Sequence, residues 1–98
     1  MNKNNPDLND LDGLRSQIDA IDDNIVKLLL ERFAVVENVA EYKKARCLEI
    51  FQQAREVEVL KKISDKINQT GNQNYKEYIL KIYGAILETS KSLQYNKT

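Results

Sequence analysis

The stretch LDGLRSQIDAIDDNIVKLLLERFAVVENVAEYK, residues 11–43, decides the fold of this chain of 98 residues. Its apolar residues recur at alternating steps of three and four, the spacing that keeps one stripe of a helix against a partner helix. Arg32 occupies one position of this seam, where the pattern favours Leu or Val. The seam consists of Leu11, Leu14, Ile18, Ile21, Ile25, Leu28, Arg32, Val35, Val39 and Tyr42. The spacing therefore predicts one uninterrupted helix whose apolar seam is broken by a single arginine.

Two shorter helices are predicted in the rest of the chain. The period breaks at residues 47–51, which we interpret as a connector, and a second helix is expected at about 53–69. The sequence TGNQN at 70–74 is a turn in which Gly71 suits a helix C-terminus. A third helix follows at about 75–94, and no stretch shows the alternation typical of a strand. The predicted fold class is all-α, with one very long N-terminal helix and two shorter helices.

The length of the chain allows one domain, residues 1–98, and is too small for two. Polar residues at both ends predict disordered tails at 1–7 and 96–98. Short polar side chains that could cap a helix precede the first and third helices. These candidates are Asp7, Asn9 and Asp10 for the first helix and Asn72 or Asn74 for the third.

Composition argues against several classes of function. Fifteen basic and fifteen acidic residues give a net charge of zero, which disfavours nucleic acid or a membrane as a partner. The chain has no histidine and one cysteine, Cys47, so we expect no metal site and no intrachain disulfide. The N-terminus lacks the apolar run of a signal peptide, and no stretch approaches membrane-spanning length. We expect a cytoplasmic protein.

The length of the first helix predicts a homodimer. A helix of about 36 residues is about 54 Å long, whereas a compact globule of this size has a radius of gyration of about 13 Å. Part of the seam must then be covered by another chain, most simply in a symmetric dimer whose long helices pair while the shorter helices wrap around both. The alternative is a bend near residue 33, but no Pro or Gly marks one.

Several polar residues occupy helix faces that should be buried. Arg32 and Lys43 are eleven residues apart and share a helix face about 16 Å apart. Arg15 lies about 42 Å from Lys43 along the helix, so it can serve the same site only from the partner subunit. The other candidates are Gln52, Arg55 and Glu56 on the second helix and Ser90 and Gln94 on the third. Taken singly, these residues are typical of surface charges, a register-setting arginine or a frayed helix end. Together they predict a pocket for a small polyanion such as a dicarboxylate.

The order and spacing of these residues resemble the all-helical chorismate mutase family over about residues 8–95. The matching motifs are Leu14-Arg15-x-x-Ile18-Asp19-x-Ile21-Asp22, Leu29-x-Glu31-Arg32, Val39-x-x-x-Lys43, Arg55-Glu56 and Ser90-x-x-x-Gln94. The resemblance implies an intertwined dimer of three-helix chains that converts chorismate to prephenate in aromatic amino-acid biosynthesis.

The resemblance also implies roles for single residues. Arg15, from the opposite subunit, and Arg32 would bind the two carboxylates of chorismate. Lys43 and Gln94 would donate hydrogen bonds to the ether oxygen of the breaking bond, and with Arg32 they form the expected catalytic group. Glu56 would accept a hydrogen bond from the ring hydroxyl.

The remaining implied contacts complete the polar wall around the substrate. Arg55 and Ser90 would lie beside the ring and its carboxylate. Gln52 departs from the family, because a relative carries an acidic residue there, near the ring hydroxyl. The rearrangement is pericyclic and needs no nucleophile, metal or cofactor. The sequence ends just past Gln94, the last candidate site residue, so we expect a monofunctional enzyme.

Two other functions remain open from the sequence. The first is an isochorismate-pyruvate lyase on the same scaffold, which uses a similar cationic pocket and a related pericyclic step. The second is a non-enzymatic helical dimerisation module in which Arg32 sets the register of the paired helices.

Overall fold

The computed structural model describes residues 10–97, and within them every regular element is helical. Helix α1 spans Leu11–Ala45, α2 spans Gln53–Thr70 and α3 spans Lys76–Asn96, with a 3₁₀ turn at Gln73–Tyr75 before α3. These bounds confirm the predicted all-α class with one very long helix and two shorter ones. The tail expected at 1–7 and the last residue lie outside the described residues.

Helix α1 begins at a side-chain cap. The backbone N–H of Gly13 donates to Oδ1 of Asp10 at 3.1 Å, and that of Leu14 donates to the Asp10 carbonyl at 3.1 Å. This cap satisfies donors that a helix start otherwise leaves unpaired. Asp10 is therefore the cap among the three candidates, and the other two, Asp7 and Asn9, lie outside the described residues.

Helix α1 ends in a Schellman turn at a residue other than glycine. Cys47 has a φ of 55°, in the left-handed region. The N–H of Leu48 donates to the Lys43 carbonyl at 2.8 Å, and that of Cys47 donates to the Lys44 carbonyl at 3.3 Å. This double hydrogen-bond pattern is the usual one for a helix that ends in a left-handed residue. It ends α1, and it places Leu48, the start of the connector, next to the backbone of Lys43.

The turn between α2 and α3 partly follows the prediction. Gly71 caps α2 with a φ of 76°, as expected. Asn72 and Asn74 are not side-chain caps of α3, because Tyr75 takes the N-cap position. A 3₁₀ turn replaces the expected cap, since the N–H of Tyr75 donates to the carbonyl of Asn72 at 3.0 Å. That prediction was wrong because a backbone turn can supply the acceptor that a side chain otherwise provides.

The end of α3 is ordered further than the sequence predicts. The helix continues to Asn96, and Nζ of Lys97 lies 2.6 Å from Oε2 of Glu37. The hydrogen bond that Lys97 donates to Glu37 raises the pKa of Lys97, with smaller contributions from the charges of Glu37 and Glu41. An ion pair thus joins the last turn of α3 to α1, and the disordered tail expected at 96–98 stays a prediction.

The chain divides into two units, Met1–Ala34 and Val35–Thr98. In the first unit, no residue from position 10 to position 34 is buried. In the described part of the second unit, α2 packs against α3, and a small core includes both apolar and polar side chains. Its buried residues are Val36, Ala40, Ile67, Leu87, Ser90 and Gln94. The prediction of a single domain over residues 1–98 stays a prediction.

None of the helices between residues 10 and 97 has the length and apolarity needed to cross a bilayer.

Candidate active site

The ends of α1 and α3 bring Lys43 and Gln94 into direct contact. Nζ of Lys43 donates to Oε1 of Gln94 at 2.9 Å and to the carbonyl oxygen of Ile50 at 2.7 Å. An ammonium group has three N–H donors. Among residues 10–97, these two acceptors use two of the three N–H groups.

Gln94 is held by its own helix and is almost fully buried. Its side chain is 7% exposed, and Nε2 donates to the carbonyl of Ser90 at 3.4 Å. An amide nitrogen carries two donors, so a second N–H remains on Gln94 as well. Ser90 lies one turn earlier, is also buried, and donates from Oγ to the carbonyl of Ile86 at 2.8 Å. The sequence prediction that these two polar residues lie on a buried face of α3 is thus confirmed.

A second polar group links α2 to α3. Oε2 of Glu56 lies 3.2 Å from Nζ of Lys91, and the same ammonium lies 2.8 Å from Oε1 of Glu88. The Lys91 ammonium also lies 4.6 Å from the ring centroid of Phe51, in the range of a cation–π contact. Glu56, which the sequence singled out, is therefore held by a lysine that the sequence did not.

The electrostatics of Lys43 connect these two groups. Burial lowers the pKa of Lys43, because its charged form loses water, and the negative charge of Glu56 opposes that shift. The Glu56 carboxylate is thus close enough to act on the Lys43 ammonium. Together these residues form a site with a partly buried cation, a neutral amide and a carboxylate.

Two further candidates have their hydrogen bonds elsewhere in the described part of the chain. Arg55 pairs with Glu58 on the outer side of α2, where its side chain is 61% exposed. Gln52 is exposed and donates from Nε2 to the carbonyl of Glu49 at 3.1 Å. The structure brings together Lys43, Gln94, Ser90 and Glu56, but it gives Arg55 and Gln52 other partners.

The two remaining candidates belong to the first unit. Arg15 is exposed on α1, whereas Arg32 is partly buried. Both residues lie on α1, as the sequence predicts, and Arg32 occupies its position in the seam. Their part in the site remains a prediction.

The site also includes groups that sequence analysis missed. Lys91 and the carbonyl of Ile50 both contact predicted site residues. The spacing of Glu88 and Lys91 shows an ordinary i, i+3 ion pair, which gives no hint of the contact with Glu56. That contact depends on how α2 packs against α3, and the connector carbonyl depends on the Schellman turn.

A cleft of about 380 Å³ lies beside the site. It shares Lys43 and Phe51 with the groups described above, and Leu48 and Tyr95 also line it. Gln94, Ser90 and Glu56 are not among its lining residues. We therefore do not assign this cleft to the ligand of the Lys43–Gln94 pair. Over residues 10–97, no cluster of three or more His, Cys, Asp or Glu side chains is placed to hold a metal ion.

The sequence of the chain matches a known family over most of its length. The family is described as "Chorismate mutase type II", and the match spans residues 14–95. The chain belongs to this family, and the resemblance found from the sequence is thereby confirmed.

One curated relative is the bifunctional chorismate mutase/prephenate dehydratase of Buchnera aphidicola subsp. Schizaphis graminum (strain Sg). It is 37% identical over 87 residues, which cover 87% of this chain and 22% of the relative. The chain therefore spans about a fifth of the length of that relative. No solved structure matches the chain significantly.

Proposed function

We propose that the chain is a chorismate mutase, which rearranges chorismate to prephenate. The contact between Lys43 and Gln94 carries this proposal, and membership of the type II family supports it. Within residues 10–97, each of the two side chains has one N–H beyond those used in its hydrogen bonds. Two adjacent donors of this kind suit the ether oxygen of chorismate, where negative charge develops as the bond breaks.

The proposed catalysis has an electrostatic part and an orienting part. Donors fixed before the reaction stabilise charge that appears only in the transition state. Lys43 and Gln94 are fixed in this way by Ile50, by Ser90 and by each other. The pocket must also hold the flexible enolpyruvyl arm over the ring, because a reactive geometry otherwise costs entropy. The reaction itself is a shift of bonds within one molecule and requires no cofactor.

The substrate carboxylates are assigned to arginines. In this proposal Arg32 binds one carboxylate, and Arg15 reaches the other from the partner subunit, because arginine forks match carboxylates. Glu56 accepts the hydrogen bond of the ring hydroxyl, and Ser90 lies beside the ring carboxylate. Arg55 pairs with Glu58 through Nη1, and in this proposal its other N–H donors serve the substrate.

Gln52 is the position at which the chain departs from the family pattern. Its side chain donates to the Glu49 carbonyl, which directs it toward the connector. Any contact that position 52 makes with the ring hydroxyl is therefore assigned to its backbone.

The proposed enzyme is a homodimer. Five apolar seam residues of the first unit are exposed by about half or more in the single chain: Leu11 at 55%, Ile18 at 56%, Ile21 at 57%, Ile25 at 48% and Leu28 at 61%. Contiguous apolar surface of this kind is typical of an interface with another chain. A second copy supplies the same stripe, and a two-fold axis allows each chain to give Arg15 to the other. We place the enzyme in aromatic amino-acid biosynthesis in the cytoplasm.

Two substrates test the proposed activity. The purified chain is incubated with chorismate and, separately, with isochorismate, while substrate absorbance and pyruvate are followed. Prephenate without pyruvate supports the mutase. Pyruvate from isochorismate as the main product would show a lyase on the same scaffold instead. Inertness toward both substrates would reject an enzyme and favour a helical dimerisation module.

Subunit mixing tests the shared site. Arg15→Ala and Lys43→Ala are each expected to be nearly inactive alone. After the two are mixed and the subunits exchange, each heterodimer contains one intact site and one doubly altered site. An equal mixture should therefore recover about a quarter of wild-type activity, since half of its dimers are mixed. If exchange is verified by mass but no activity returns, Arg15 does not act across the interface.

A further inference from the structure

Lys91 is held between two carboxylates and an aromatic ring. Its ammonium lies 3.2 Å from Oε2 of Glu56 on α2 and 2.8 Å from Oε1 of Glu88 on its own helix. Phe51, in the connector, places its ring centroid 4.6 Å from the same nitrogen. The side chain of Lys91 thus joins α3 to α2 at the carboxylate whose charge acts on the pKa of Lys43.

The Glu56–Lys91 pair is shielded from water more than the other lysine ion pairs of α2. The side chains of Lys91 and Glu56 are 20% and 24% exposed, whereas those of Lys61 and Asp65 are 76% and 52% exposed. Exposed pairs contribute little because water screens them, and attraction grows as the surroundings become less polar. The pKa of Lys91 is raised, first by the Glu88 hydrogen bond and then by Glu56, so the ammonium stays charged at neutral pH. The pair is therefore suited to fixing a carboxylate.

Fixing Glu56 matters because its side chain is flexible. A glutamate has several rotatable bonds, and a free one loses rotamer entropy when it must adopt a single orientation. The ion pair uses Oε2 of Glu56, which leaves Oε1 for another donor. A group that must meet a substrate atom in one geometry gains when its position is fixed in advance.

We propose that Lys91 is a positioning residue for the chorismate rearrangement, holding Glu56 through Oε2 so that Oε1 receives the ring hydroxyl of the substrate. The inference rests on the proposed function and goes beyond it, because it assigns a role to a residue outside the family motifs. Lys91 acts through Glu56 and needs no contact with the reacting atoms.

The experiment compares Lys91→Met with Lys61→Met, which removes a lysine from an exposed ion pair. Each variant is assayed with chorismate and with the analogue in which the ring hydroxyl is replaced by hydrogen. Lys91→Met should lose about tenfold in kcat/KM on chorismate, because Glu56 is no longer oriented. On the analogue it should match wild type, and Lys61→Met should match wild type on both. Lys91→Arg should restore most of the activity on chorismate.

Other outcomes overturn the inference in distinguishable ways. An equal loss on both substrates would show that Lys91 only attracts the substrate anion or supports the fold. No loss on either substrate would show that Glu56 needs no help. Wild-type inertness toward chorismate would overturn the proposed function and this inference together.

A second comparison keeps the test decisive if Lys91→Met folds poorly. In a Glu56→Gln background, Lys91→Gln should cause no further loss on chorismate, because residues that act as a pair are not additive. An independent loss there, in protein with wild-type helical circular dichroism, would refute a role through Glu56.

Discussion

The two units of the chain bury very different parts of their sequence. From position 10 to position 34, no residue is buried, although this stretch carries most of the apolar seam. The second unit contains every buried residue of the described chain, and two of these are polar, Ser90 and Gln94. Apolar side chains without a core need a partner chain, whereas buried polar side chains with fixed partners need a ligand or a structural reason.

The difference separates what specifies association from what specifies chemistry. The first unit offers an apolar stripe and the exposed Arg15. The second unit offers the N–H donors of Lys43 and Gln94. Lys43 is held by the Ile50 carbonyl and by Gln94. Helix α1 belongs to both units, since it spans Leu11–Ala45. In the proposed dimer, a change in the first unit's seam should therefore weaken association and activity together, whereas a change at Lys43 should reduce activity and leave the dimer intact.

The largest effect is expected from Lys43→Met, which alters the second unit alone. Loss of one preorganised donor to a developing oxyanion typically costs about 10²–10³-fold in rate. We expect a loss of this size in kcat/KM, measured from the disappearance of chorismate. Lys44→Met is the matched control, since Lys44 is the next residue of the helix and is exposed. Comparable losses in both variants would remove Lys43 from the mechanism.

A charge in the seam should break the first unit in a different way. Leu28→Glu places a carboxylate on the predicted interface, whereas Leu30→Glu places one on an equally exposed leucine outside the seam. The two leucines are 61% and 63% exposed, so exposure alone predicts the same result for both. We expect Leu28→Glu to weaken the dimer by about 100-fold or more. In the proposed interface, each chain loses a leucine that the partner would cover and gains a charge there.

The measurement for this pair is sedimentation or light scattering across a range of concentrations, with activity assayed on the same samples. Leu30→Glu should remain a dimer with near wild-type activity. If both variants dissociate equally, the seam as drawn does not define the interface. If Leu28→Glu dissociates and retains full activity, the site is complete within one chain.

The fold could be predicted from sequence where a local rule determines the backbone. The seam spacing predicted α1 almost to its ends, and Gly71 marked the end of α2 because it can adopt positive φ. The same local reasoning failed at Asn72, where a 3₁₀ turn replaced a side-chain cap. It also gives no sign of the ion pair between Lys97 and Glu37, because the two residues are distant in sequence.

The site could be predicted only in part for a related reason. Burial of Ser90 and Gln94 was predicted because both residues occupy the helix face of α3 that should be buried, and this is a local pattern. The contact between Lys43 and Gln94 joins residues 51 positions apart, and it was expected only through the resemblance to a family. Neither the local pattern nor the family motifs predict the contact between Glu56 and Lys91. This contact depends on packing between α2 and α3, and Lys91 is not part of the motifs.

A smaller effect is expected in the dependence of activity on pH. Burial lowers the pKa of Lys43 from its ordinary lysine value, so the ammonium of the free enzyme is lost at a less alkaline pH than for an exposed lysine. Since kcat/KM reports free enzyme, it should fall as pH rises through this lowered pKa. Glu56→Gln should move the fall to still lower pH, because the Glu56 charge opposes the shift.

The pH profile also has a matched control. Lys43→Arg should lack this alkaline fall, because arginine keeps its charge over the accessible range. A bound substrate carboxylate favours the charged lysine, so the fall in kcat should lie at higher pH than the fall in kcat/KM. An alkaline fall that persists unchanged in Lys43→Arg would belong to another group.

The smallest effect is expected at Cys47, and it should be confined to the second unit. A residue with a Cβ costs about 1–2 kcal/mol in the left-handed region, whereas glycine occupies it freely but loses about 0.5–1 kcal/mol through its more flexible unfolded chain. Cys47→Gly should therefore raise the free energy of unfolding by about 0.5–1 kcal/mol per chain, measured as a higher urea midpoint at unchanged m-value and constant protein concentration. Cys47→Ala keeps the Cβ and should give no such gain, which separates backbone relief from loss of the thiol.

Because Cys47 lies outside the seam, the dissociation constant of the Cys47→Gly dimer should equal that of wild type, unlike that of Leu28→Glu. A gain in stability that came with tighter dimerisation would show that the end of α1 also takes part in association.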